Sequence, residues 1–445
     1  VKSLALVHRL AGLALVSLLT LAPACSSSSG GSSQTGIGSS SPLCTGGGRC
    51  IAISPSASET DIDGAVATLQ NGDTVAFAAG TYKFQNELAL GMANDVTVIG
   101  AGQGKTILDF TNQVAGEDSV FAQSVSNLTL EDFTVQNSPG NAFKTLSVTG
   151  VTFRSLQVTW MAMGATDGPY GVYPVQCTDV MVEDCNVSGA SDSGIYIGQS
   201  QYIVVRNNTV FGNVAGIEIE NSFFADVYGN TAHDNTGGIL VFDLPGLQQE
   251  GGHNVRVYMN TIENNNTENF AKNGDIVGLV PAGTGFFVMA NHDVEVFDNT
   301  IKGNKTVGSG IISYALAMMP ANDPKYYQWP SKVYLHDNTY SGNGTLPDIR
   351  NQVGLLLDTA LGSYPDMHVP DVMYDGMTDP NITMPAGNPM QICIAESSAS
   401  AVCDMHFNQL NSSDTNLPSI ITCDASMFAC TLPALPPVTW KDMPQ

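Results

Sequence analysis

Glu218 and Glu220 are separated by one residue in Gly216-Ile217-Glu218-Ile219-Glu220, the spacing of two carboxylates on one face of an extended strand. Extended backbone sets their Cα atoms about 7 Å apart. That separation is compatible with glycoside hydrolysis, in which one carboxyl is protonated as acid and the other ionised as base or nucleophile. Asp243, His253 and Tyr314 follow at loop and strand positions expected to rise beside the same groove, and they complete a candidate catalytic set. Elimination or epimerisation at a uronic acid would draw instead on His253, Tyr314 or Lys272 to take a proton, with a cation neutralising the sugar carboxylate. Tyr196, Phe242, Tyr258, Lys272 and Phe287 are the candidate substrate-binding residues, the four aromatic ones because the flat apolar side of a pyranose stacks on aromatic rings and Lys272 because it lies on a loop beside the groove.

The elements that must hold these residues are visible as a repeat. An apolar-x-apolar-x-x-Asn-Thr phrase occurs at Ile203 to Thr209, Ala225 to Thr231, Val255 to Thr261, Val294 to Thr300 and Val333 to Thr339, with degenerate copies from Leu128, Val151 and Val180. A second phrase follows at Gly194 to Gly198, Gly216 to Glu220, Gly238 to Phe242, Gly285 to Met289, Gly310 to Tyr314 and Gly354 to Asp358. Period-two alternation puts Ile195, Ile217, Ile239, Phe286 and Ile311 on one inward face. The shortest interval between copies suits one three-strand coil, and the excess elsewhere must form loops: Asp243 to Gly252, Asn264 to Thr284 and Ala315 to Ser331. Stacking in register sets Tyr196, Glu218, Leu240, Phe287 and Ile312 in one outward line and Gly198, Glu220, Phe242, Met289 and Tyr314 in the next. Tyr228, Tyr258, Phe297 and His336 make a third. Asn208, Asn230, Asn260, Asn299 and Asn338 are expected to form a corner ladder, hydrogen-bonding up and down the stack and tolerating left-handed backbone.

The expected architecture is all-β: a right-handed parallel β-helix over residues 49–378. An N-terminal capping helix opens at the capping box Ser58-Glu59-Thr60-Asp61, and an irregular disulfide-containing cap occupies 379–445. The stretch as far as Tyr314 resembles the pectin lyase-like superfamily, and in particular exported β-helix-repeat lipoproteins of undefined role. The polygalacturonase motifs Asn-Thr-Asp and Gly-His-Gly have no copy here, and Phe242-Asp243-Leu244-Pro245-Gly246 is a loose echo of the Asp-Pro-His-Asp of alginate epimerases. The resemblance therefore implies a fold and leaves the activity open.

Lys2 and Arg9, the apolar run Leu10 to Leu21 and Ala22-Pro23-Ala24-Cys25 read as an export signal over 1–24, resembling a bacterial lipoprotein signal with Cys25 as the lipidated residue. A Ser/Gly-rich tether over 25–48 follows, so the expectation is an exported protein of the cell envelope, in outer membrane or periplasm, held to the membrane by its lipid anchor alone. The chain carries a formal charge of −25 with only 16 Lys and Arg. That excludes a counterion-releasing nucleic-acid surface and disfavours a broad basic groove for polyanionic sugars. Eight cysteines besides Cys25 point to disulfides, and their spacing suggests the local pairs Cys44 and Cys50, Cys177 and Cys185, Cys393 and Cys403, and Cys423 and Cys430, among the many connectivities they allow. Gly100 to Thr106 mimics a phosphate loop, but Ile99 stands where its first glycine belongs, so a turn is expected. No metal site is expected; calcium remains a candidate because the turns are rich in Asn and Asp, although no consensus loop is present. Two functions remain: a polysaccharide-binding or polysaccharide-processing groove, or a noncatalytic scaffold for a glycan or partner protein.

Overall fold

The computed structural model describes residues 36–162, 164–317, 321–361, 368–399, 402–406 and 421–440. The expected export signal over 1–24 and the expected lipidation site Cys25 lie outside the described residues. Among the described residues three sheets, here called A, B and C, contain thirteen, ten and eleven strands. Among the described residues the strands pair in parallel, except that Ile37–Gly38 runs antiparallel to Cys50–Ile53 at one edge of sheet A and an isolated antiparallel bridge joins Asp404 to Thr422. Residues 36–48, assigned to the tether by composition, thus include a strand of the solenoid's first sheet and one half of the Cys44–Cys50 disulfide.

One coil consists of Ser193–Gly198 in sheet C, Gln201–Arg206 in sheet A and Thr209–Phe211 in sheet B, after which Ala215–Glu220 returns to sheet C. Ile195, Ile217, Ile239 and Phe286 stack in register along sheet C and are fully buried. Each such apolar side chain stabilises the stack by roughly 1.5 to 3 kcal/mol. The glycine opening each phrase answers to a close approach: a Cβ on Gly194 would meet the Asn213 amide at 2.8 Å.

The expected Asn ladder is present. Asn230 Oδ1 accepts from the backbone N and Nδ2 of Asn208, both at 2.9 Å, while its own Nδ2 donates to Val205 O and Asn260 Oδ1. The left-handed residue is the one before the ladder position, as at Asn207 with φ 57°. A second ladder, Asn213, Asn235, Asn265, Asn304 and Asn343, occupies the corner between sheets B and C.

Several expectations are corrected. The last sheet C phrase is out of register by two residues: Ser309, not Ile311, stacks on Phe286, and Gly310 lies opposite Phe287. Ser309 hides the repeat because its inward hydroxyl meets Tyr340 Oη at 3.0 Å. Ile312 therefore pairs with Met289, and Tyr314 begins a 3-10 turn beyond the strand. Gly354 to Asp358 belongs to a helix, Gln352–Leu361, whose start is capped by Asn351 accepting from Val353 N at 2.8 Å. Val372–Tyr374 supplies the missing strand. Cys177 and Cys185 are free buried thiols at two different corners, where their backbone N–H groups donate to Ser200 and Asn208. The distal bridges are Cys393–Cys430 and Cys403–Cys423.

The ends are covered as expected. Ser58 and Asp61 form the reciprocal capping box of the helix Glu59–Val66, which buries Ile62, Ala65 and Val66. At the other end the chain beyond Cys430 turns back along sheet A. Leu435 N donates to Glu295 Oε2 and Val438 N to Asp226 Oδ2, and Val438 packs on Met181 and Val204. Asp226, Arg256 and Glu295 stack on successive coils. Three residues of Pro-rich extended chain, at about 3.1 Å each, match two coil steps of about 4.8 Å. Among the described residues no helix is long and apolar enough to cross a membrane.

Candidate functional site

Outward-pointing residues of sheet C lie on the convex side of a strand whose inward neighbours are aliphatic, so a polar residue there faces solvent or whatever loop covers it. Three adjacent coils place Tyr170, Tyr173, Tyr196, Glu218 and Glu220 on this face, and Asp192 sits just before its strand. The loop that leaves sheet B at Asn264 folds over them with Asp275, Ile276 and Val277, and Leu244 closes one side. The partly open cavity between them is about 190 Å³.

Its polar groups are connected. Ser193 Oγ lies 2.6 Å from Glu218 Oε2 and 3.0 Å from Asp192 Oδ1. Tyr170 Oη donates to Asp192 Oδ2 at 3.1 Å, and Tyr196 Oη donates to Glu220 Oε1. The rings of Tyr170, Tyr173 and Tyr196 pack within 4.5 to 5.0 Å of one another.

Burial dominates the electrostatics. It drives Glu218 well above the usual carboxylate range, with the charges of Glu220 and Asp192 adding to the effect. Glu220 rises to about 7 by burial, opposed by the Tyr196 hydrogen bond and reinforced by Asp192 and Asp243. Asp192 also rises to about 7 through burial, against the hydrogen bonds from Ser193 and Tyr170. Tyr170 and Tyr196 are pushed well above the ordinary phenol value, first by burial. The cavity thus holds neutral carboxylic acid beside carboxylate near neutral pH, which is the raw material of general acid–base catalysis.

Of the residues singled out by sequence, Glu218, Glu220 and Tyr196 meet here. Asp243 is buried at the neighbouring corner; it accepts from Gly252 N at 2.7 Å, and burial raises it to about 7. His253 does not line the cavity: it packs against Phe223 and His292 and hydrogen-bonds Gly251 O. Tyr314 lies beneath the loops, edge-on to Tyr326. Phe242 and Phe287 are 2% and 4% exposed, because inserted loops cover the line that stacking alone would leave open. Lys272 lines an adjacent cavity of about 360 Å³ with Asp275 and Arg350, and its charge acts on Asp192. The third line is a ladder of parallel rings: Tyr258 stacks on Tyr228 at 4.8 Å and on Phe297 at 4.9 Å. Rings stacked along the solenoid turn their faces to one another and their edges outward, leaving little face for a pyranose.

Tyr170, Asp192 and Ser193 escaped the sequence reading. Gly171-Val172-Tyr173 copies Gly194-Ile195-Tyr196 one coil earlier, so extending the second phrase backwards reaches the tyrosines; Asp192 and Ser193 immediately precede that phrase. Among the described residues no group of three or more His, Cys, Asp or Glu is arranged to hold a metal ion.

Residues 97–246 match the family described as a right handed beta helix region. The chain is a right-handed parallel β-helix. Its β-helix is similar to that of the A-module of mannuronan C-5 epimerase AlgE4 from Azotobacter vinelandii, at 18% identity over 65% of this chain and 85% of that one, with a TM-score of 0.46. An exopolygalacturonase from Thermotoga maritima aligns at 14% identity over 62% of this chain and 76% of its own, with a TM-score of 0.43. The tailspike of E. coli bacteriophage HK620, solved with a pentasaccharide, aligns at 13% identity over 62% and 55%, with a TM-score of 0.42. No curated protein matches the sequence.

Proposed function

We propose that this β-helix processes a polysaccharide by acid–base chemistry at the sheet C cavity, in the manner of a glycoside hydrolase. The observation that carries the reading is the linked set Asp192, Ser193, Glu218 and Glu220 beneath a loop, flanked by Tyr170 and Tyr196. Glu218, the most strongly neutralised member, is the proton donor, and Asp192 is the ionised partner. One hydroxyl contacts both carboxyls, so their nearest oxygens are within about 6 Å, close to the roughly 5 to 5.5 Å of retaining enzymes. The lining carries Asp192, Glu218, Glu220 and Asp275 but no Lys, Arg or His, which favours a neutral glycan over a polyuronate. For a sugar ring to reach Glu218, the Asp275 to Val277 segment must lift.

The reading also places the protein at the cell envelope, tethered through Cys25. Mass spectrometry of the N-terminal peptide from a membrane fraction tests that placement. The activity is tested by incubating the full chain with a panel of neutral and acidic glycans, with and without calcium. New reducing ends support hydrolysis, unsaturated products point to a lyase, and binding without products supports the scaffold instead.

A further inference from the structure

Ser193 opens the strand Ser193–Gly198 and is fully buried, with Tyr170 and Ala215 as its register neighbours on the adjacent coils. Its backbone is fixed by donation from Ser193 N to Pro169 O at 3.0 Å, while Asp192 O accepts from Ala215 N at 2.7 Å. The side chain is thereby held between Asp192 Oδ1 and Glu218 Oε2, at 3.0 and 2.6 Å.

Hydrogen counting constrains this arrangement. A serine hydroxyl has one hydrogen, and an ionised carboxylate has none. A single hydrogen split between two ionised carboxylates would leave two buried like charges facing each other; two full hydrogen bonds through one Oγ use two hydrogens, and these are present when one carboxyl is neutral and donates to Ser193 while Ser193 donates to the other. Reversing both bonds moves the neutral state from one acid to the other.

We propose that Ser193 is a proton relay joining Asp192 to Glu218. In one direction Glu218 Oε2–H passes its proton to Ser193 Oγ as the hydrogen of Ser193 passes to Asp192 Oδ1. Glu218 becomes ionised, Asp192 neutral, and the serine is unchanged. The groups facing this wire are Tyr170 at Asp192, Glu220 and then Tyr196 beyond Glu218, Asp243 beside Glu220, and Asp275 and Lys272 from the covering loop. Both tyrosines donate into the ends of the chain, so they bias where the protons rest without interrupting it. For turnover the inference rests on the proposed function: the wire decides which of the two carboxyls holds the shared proton, and so sets Glu218 neutral and Asp192 ionised when a glycan binds. The relay itself requires no substrate.

The test is carboxyl infrared spectroscopy on the full chain, comparing wild type, Ser193→Ala and Ser193→Thr, with Glu218→Gln used to assign the neutral Glu218 band. The expected result is a band moved to higher frequency in Ser193→Ala, where its hydrogen bond is lost, and restored in Ser193→Thr, which keeps the hydroxyl. An unmoved band in Ser193→Ala, or one that a folded Ser193→Thr leaves displaced, overturns the relay. Where a glycan is turned over, Ser193→Ala should lower kcat by about tenfold or more with KM little changed, and Ser193→Thr should recover it; an unchanged kcat and pH profile also overturns the relay. Absence of turnover in every form sinks the proposed function and leaves the spectroscopic result standing.

Discussion

Replacing Asp243 by asparagine should make the protein more stable at pH 8 and less stable near pH 4. Asp243 is fully buried, one carboxylate oxygen accepts from Gly252 N, and the other has no hydrogen bond among the described residues. Burial raises its pKa from 3.8 to about 7. Because the folded value is the higher one, the fold binds the proton more tightly than the unfolded chain does. The associated stability is complete below about pH 4 and is lost as pH rises to about 7. About three units at roughly 1.36 kcal/mol each give a loss of about 4 kcal/mol. The substituted amide keeps an acceptor for Gly252 and cannot ionise, but its buried NH2 group has no evident partner, a pH-independent cost of about 1 to 3 kcal/mol. The net gain at pH 8 is thus about 1 to 3 kcal/mol. Thermal unfolding of wild type and Asp243→Asn from pH 4 to 8 reads this as a difference in Tm that grows with pH and levels off near 7. A difference constant across that range would refute the reasoning, because Asp243 would then hold one protonation state throughout.

Tyr196→Phe removes the donor that opposes burial at Glu220, so Glu220 should ionise at a pH above 7 in a carboxyl NMR titration; an unmoved titration would show that the phenol does not hold that carboxylate. Asn260→Ala breaks the ladder at its middle, leaving Asn230 and Asn299 without its amide, and should cost about 3 kcal/mol or more in thermal or urea unfolding. Truncation after Thr431 removes Val438 and uncovers Asp226 and Glu295, so Tm should fall, with about 2 kcal/mol from Val438 alone; an unaltered Tm would mean that the returning segment clamps nothing.

Much of the fold was legible because a solenoid writes its period into the sequence. The inward Ile column and the first Asn ladder each recur once per coil, and each coil repeats the reason for the residue. The second ladder was equally periodic, each member following Asn208 and its equivalents at a constant interval, yet of its five members Asn235 alone is followed by a Thr to mark it. Register failed at Ser309, where a polar residue faces inward and finds Tyr340. The helix after Asn351 failed for the opposite reason, an apolar run that fits either geometry.

The site was half legible. Glu218 and Glu220 share a face by alternation alone, and strand stacking then puts Tyr196 beside them. What spacing does not encode is which loop covers which coil. Phe242 and Phe287 therefore passed for exposed binding residues, and His253, on the sheet A side of the corner, passed for a member of the groove. Asp192 was invisible because it stands before its strand, outside any alternation, and is brought in by the hydroxyl next to it.

The central claim is that the sheet C cavity performs acid–base chemistry on a glycan, with Glu218 as its acid. The most direct test is turnover of a glycan that the wild type cleaves, measured alongside Glu218→Gln and Asp192→Asn proteins whose thermal unfolding shows them folded. The account predicts a loss of about a hundredfold or more in kcat for each. Wild-type turnover by both folded variants would contradict it and move the chemistry away from this cavity.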